Sequence, residues 1–78
     1  MFCFFNLSRP SCEPEQVGAE VSSAADARLV AVQYLGEVIR DKPDAVWAGE
    51  EIRVDVTDED HRSICTITVA GIIRSTRV

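Results

Sequence analysis

The chain has 78 residues and a mass of 8.6 kDa, room for one domain. Thirteen acidic against eight basic side chains give a formal net charge of −5. That balance argues against general nucleic-acid binding, whose affinity comes from Lys and Arg displacing counterions from phosphates. With 46% hydrophobic and 27% charged residues the composition is globular rather than disordered or fibrous, and no apolar run approaches the ~18 residues of a membrane span.

Met1–Leu7 (MFCFFNL) places three Phe and a Cys within the first five positions and, broken by Ser8-Arg9-Pro10, reads as a buried β-strand. The run is too short for a secretory signal, and no basic residue precedes it. Residues 8–21 hold Pro10, Pro14, Gly18 and three glutamates and read as the longest loop, with a brief extended piece at Glu20–Val21. Ser23-Ala24-Ala25-Asp26 fits a helix start, with a Ser cap and an acid three residues on that reaches back to the cap's amide. Ala27, Val30, Ala31, Tyr34, Leu35, Val38 and Ile39 then follow at helical spacing, which predicts a helix from about 24 to 41 stopped by Pro43.

Asp44–Gly49 reads as a linker to Ile52–Thr57, where Ile52, Val54 and Val56 alternate with polar residues. Asp58-Glu59-Asp60-His61 reads as a turn, and beyond it Cys65, Ile67 and Val69 alternate with Ile64, Thr66 and Thr68, so the two runs make a hairpin. The expected domain therefore spans 1–78, with loop 8–21 and a short tail from about 71. Its class is α+β, in the order β-α-β-β, with one amphipathic helix on a small three-stranded, mostly antiparallel sheet. The expected strand order puts the last strand between the other two, with the first and second parallel through a right-handed crossover.

An aromatic first strand, Glu15-Gln-Val-Gly18, an Ala27-Arg28-x-x-Ala31 helix, a Trp47-x-Gly49 linker and a Val56-Thr57-Asp58-Glu59-x-x-Arg62 hairpin stand in this order. Together they resemble a family of small bacterial domains of unknown function, widespread in alphaproteobacteria. The resemblance covers nearly the whole chain, supports the fold and implies no activity. Glu15 stands where the pattern has Asp. His61 stands where it has the Gly before Arg62, a turn position where a positive φ costs His more than Gly.

Cys3, Cys12 and Cys65 are odd in number and form no CxxC pair, which fits free thiols in a reduced cytoplasm. None has the cation, helix N-terminus or adjacent base that makes a thiolate: Glu13 and Glu15 oppose it at Cys12, Cys3 lies in an apolar strand, and His61 is about 13 Å of extended strand from Cys65. Asp55, Asp58, Glu59 and Asp60 cluster without the spacing or closing Glu of a calcium loop, and acids in a turn more often serve turn geometry. One His with three scattered Cys does not make a zinc site. No Gly-rich phosphate loop is present, and Trp47 reads as a plug for the end of the core rather than a stacking platform. The expectation is no catalytic residue, no cofactor and no metal.

The helix carries the main anomaly. Beside its core stripe, Ala25, Leu29, Val32 and Gly36 follow at i, i+4, i+7 and i+11, a flank that is usually polar when a helix lies on one sheet. Either loop 8–21 or the tail's Ile72-Ile73 covers this flank, or it is a helix–helix interface, with Ala25 and Gly36 allowing close approach and Leu29 and Val32 as anchors. The reading that follows is a non-catalytic protein-interaction or regulatory module, cytoplasmic, that pairs with a protein partner or itself. The alternatives are a small-ligand-binding protein or minor enzyme with a pocket under loop 8–21, and an antitoxin-like regulator resting on fold analogy.

Overall fold

Alternation in the first strand decides which face of the molecule becomes core. In the computed structural model, which describes residues 1–9, 12–49 and 51–74, Phe2–Ser8 forms strand β1. Its Cys3, Phe5 and Leu7 are fully buried, while Phe2, Phe4 and Asn6 turn to the opposite face. Glu15–Glu20 forms β2, Ala24–Asp41 the helix α1, Pro43–Trp47 a 3-10 turn, Ile52–Asp58 β3 and Ser63–Val69 β4. Pro10 and the tail's Ser75, Thr76, Arg77 and Val78 lie outside the described residues.

The class is α+β, as the sequence implies, but the sheet has four strands in the order β2-β1-β3-β4, every neighbouring pair antiparallel. Two expectations are corrected together. The stretch read as loop 8–21 contains β2, which pairs along β1 from Phe2↔Glu20 to Leu7↔Glu15. That hairpin reverses the chain before the helix, so α1 connects β2 to β3 rather than β1 to β3. β1 and β3 are therefore antiparallel neighbours, and β4 lies at an edge instead of between them. The parallel pair is β2 and β3, separated by β1 in a split β-α-β arrangement.

The helix matches its predicted span. Ser23 Oγ accepts the amide of Asp26 at 3.1 Å. Asp26 Oδ2 accepts the amide of Ser22 at 2.9 Å rather than that of the cap itself, a capping box displaced by one residue. Ala27, Ala31 and Leu35 are buried, and Val30, Tyr34, Val38 and Ile39 pack around them against Ile52, Val54 and Val56 of β3. α1 lies over β3 and β4. Lys42 closes the last turn on Val38 O, and Pro43 begins the 3-10 turn, so the predicted linker is structured.

The β3–β4 hairpin forms with His61 in the left-handed region, at φ 62°. Asp58 makes this conformation reachable: its Oδ1 accepts the amides of Asp60 at 2.8 Å and Arg62 at 2.9 Å, while its main chain bonds His61 and Arg62. The His61 ring stacks on Phe4, centroids 6.3 Å apart and planes 17° apart. Trp47 is corrected as well. It does not plug the core, being 55% exposed, but lies over Gly71, where an added Cβ would come within 2.5 Å of its ring and 2.9 Å of Val46 O. Gly71 donates to that same carbonyl at 3.1 Å, so the chain after β4 is held against the 3-10 turn.

Candidate interaction surface

The residues that could carry chemistry are spread out, and several have structural tasks. Cys3 is buried and Cys65 half-buried, and burial raises the pKa of both thiols, away from a reactive thiolate. Cys12 is exposed. The Asp58 carboxylate is taken up by the hairpin amides. Asp55 accepts from Arg53 at 2.8 and 3.0 Å and from Thr66 Oγ1 at 2.6 Å, and the Arg53 bonds foremost hold its pKa below the usual carboxylate value. Gln16 and Asn6 extend this chain of bonds across the uncovered sheet face, with Phe2 and Phe4 edge-to-face beside it. Among the described residues no three of His, Cys, Asp and Glu converge on a point that could hold a metal ion.

A cleft of about 290 Å³ does lie where loop 8–21 was expected to form a pocket, between α1 and the β1–β2 connection. Glu15, Glu37 and Asp41 face Arg9 and Lys42 there, with Tyr34 in the wall. Arg9 reaches Glu15 only at 3.6 Å, and Arg9 Nε and the Tyr34 hydroxyl are buried with no hydrogen-bond partner among the described residues. Burial also raises the Tyr34 pKa. Both orphan atoms are sealed from solvent, so a molecule in the cleft reaches them only if the wall moves.

The other side of α1 is different. At 100° per residue Arg28, Val32, Ala25, Gly36 and Leu29 span an arc of about 100° on one side of the buried stripe. Tyr34, Glu37 and Asp41 face Arg9 and Glu15 across the cleft on the β2 side, so this arc, on the other side of the buried stripe, lies toward β4. Leu29 is 64% and Val32 54% exposed, and Ala25 and Gly36 are exposed beside them, with open space where a Cβ on Gly36 would stand. The covering expected from the tail is not seen: Ile72 and Ile73 are themselves 75% and 74% exposed. Nor do the described residues of segment 8–21 cover it, because they run at the β2 side.

Beneath this flank lies β4, an edge strand with no charged residue from Ser63 to Val69. Its Cys65, Ile67 and Val69 pack only partly against the core. The sequence singled out the flank but not the bare edge below it. The signal for the edge was present in SICTITV, which lacks the Lys or Pro that usually guards one.

No helix among the described residues is long and apolar enough to cross a membrane. No curated protein and no solved structure matches the chain. A family model described as "Domain of unknown function (DUF6894)" matches residues 2–70, from the first residue of β1 to just past the end of β4, and takes in every element of the fold. The chain therefore belongs to the DUF6894 family of domains of unknown function.

Proposed function

We propose that this protein is a non-catalytic interaction module, working in the reducing cytoplasm, whose binding surface is the flank of α1 formed by Ala25, Leu29, Val32 and Gly36. The observation that carries the reading is the exposure of Leu29 and Val32, side by side on a flank that no described segment covers. Complete burial of such a side chain from full exposure is worth about 1.5–3 kcal/mol, and at 64% and 54% exposed Leu29 and Val32 still have over half of that to gain from a partner that covers both. Small residues on either side let a second backbone come close. Three free cysteines fit the reducing compartment.

The test compares the wild-type protein with Leu29→Glu as tagged baits, with circular dichroism to verify that the helix persists. Because Leu29 is exposed, the variant is expected to fold. The expected result is a stoichiometric partner, whether a second copy or another protein, held by the wild type and lost by Leu29→Glu. Identical profiles for both baits overturn the reading. The cleft beside Arg9 and Tyr34 supports the small-ligand alternative. Its test is a thermal shift with small amphoteric metabolites, and the mixed rim of three carboxylates and two cations makes zwitterions the class to try first.

A further inference from the structure

We infer that the occupant of this surface is a second copy of the chain, joined by antiparallel pairing of β4 with β4 about a two-fold axis centred on Thr66, so that two four-stranded sheets become one of eight strands. The inference rests on the interaction-module reading and specifies its partner.

Three observations meet in this arrangement. The first is geometric. α1 lies over β3 and β4, so its axis stands about one strand spacing, ~4.8 Å, inside a two-fold placed just beyond β4. The same operation that pairs the strands sets the two helices on one face, about 10 Å apart, at the upper end of the 8–10 Å at which helices pack. The flanks that then meet carry Val32 nearest the seam and Leu29 at its outer rim, with Ala25 and Gly36 between them where close approach needs small residues. One operation thus covers the bare edge and the apolar flank together.

The second observation is self-complementarity. A two-fold perpendicular to a sheet must set one residue opposite itself, and Thr66 is the middle of Ser63–Val69. Cys65 then faces the second copy's Ile67, and Ile67 its Cys65, on the helix side, where both are only half-buried in one copy. Thr66 faces Thr66 on the other side, a favourable cross-strand pair.

The third is charge. Two chains of net charge −5 approach best where acids are absent. β4 has none, and the charged residue within the flank's arc is Arg28. The same register also brings the end of β4 that leads to Arg74 near the acidic turn Asp58–Asp60 of the other copy.

The experiment is sedimentation equilibrium at about 100 μM, far above a micromolar Kd, combined with site-specific disulfide trapping. In a Cys12→Ser/Cys65→Val background, Thr66→Cys places two thiols directly opposite one another, within disulfide reach. Thr68→Cys places them four residues apart, about 13 Å, out of reach. The expected result is a mass twice 8.6 kDa, with covalent dimer from Thr66→Cys under mild oxidation and none from Thr68→Cys. A mass of 8.6 kDa at that concentration overturns the second-copy proposal, while the flank's role stands or falls on the Leu29→Glu baits. A dimer that Thr68→Cys traps as well as Thr66→Cys does, or that neither traps, overturns the β4 pairing. If Leu29→Glu still dissociates such a dimer, the flank reading survives without the strand.

Discussion

β2 and β4 are both edge strands with a row of unpaired backbone groups, yet they are built differently. β2 has Glu15 and Glu20 at its ends and Gly18 near its middle, and its neighbourhood on the helix adds Glu37 and Asp41. β4 has seven uncharged residues in clean alternation, beneath the exposed Leu29 and Val32. Sheets protect open edges with charge, short strands or bulges, because an unguarded edge is a template for another strand. β2 follows that rule, whereas β4 has only the bulge near Val56 at one end. An acidic chain that keeps its acids off the edge strand itself, with the Asp55 carboxylate beside Thr66 paired to Arg53, has left that edge open to a copy of itself.

The contrast can be broken or sharpened by substitution. Leu35 is 2% exposed under the centre of the helix, and Leu35→Ala is expected to cost about 2–5 kcal/mol, read as a lower urea midpoint. Both hairpins should be lost in one transition, because α1 and β3 tie the two edges into one core. Hydrogen exchange that releases β1–β2 well before β3–β4 would show that the edges differ in stability and not only in charge. Thr68→Lys supplies β4 with the charge it lacks. Thr68 is exposed, so stability of the single chain should stay within about 0.5 kcal/mol. Self-association should weaken about tenfold in sedimentation, equivalent to ~1.4 kcal/mol, and no change there would mean that the bare edge serves no contact.

The smallest effect concerns Asp55 on the uncovered sheet face. Its pKa lies below the free value of 3.8, chiefly through the Arg53 bonds, so its stabilisation is present above pH 3.8 and is lost as pH falls through the lower folded value. Asp55→Asn should therefore remove about 0.2–1 kcal/mol at neutral pH, typical of a largely exposed pair. As pH falls from 3.8 through the lower folded value, the variant's thermal midpoint should converge on that of the wild type, and a gap that persists below that value would assign the loss to packing instead.

Much of the fold was legible because periodicity reports burial. The helix stripe, the buried face of β3 and the β3–β4 hairpin come from apolar residues at spacing 3.6 or 2, while β1 was legible only as an apolar aromatic run whose buried face, Cys3, Phe5 and Leu7, the run itself does not single out. β2 was not legible, because EQVGAE buries almost nothing: the strand is held by backbone bonds to β1, and Gly18 leaves room for the Phe2 ring, which would meet an added Cβ at 2.6 Å. Missing that one reversal also inverted the expected strand order, since the direction in which the helix departs depends on it. His61 shows the converse. Its positive φ goes against residue preference, and the Asp58 bonds with the Phe4 stack, both set by distant or local partners, hold it there. The flank of α1 was legible as an apolar pattern, but which way it faced was not, because that depends on the crossover.

The central seam of the sheet has a further consequence for the order in which the chain can fold. β1–β2 and β3–β4 each close locally, but residues 3–8 of β1 must find residues 53–58 of β3 across the whole helix. Such non-local pairing is entropically expensive to close and slow relative to hairpins and helices. Until it closes, the inner edges of β1 and β3 are as open as β4, and Phe5, Leu7, Val54 and Val56 are uncovered together. How long those extra edges stay open is set by how fast α1 draws the two hairpins together.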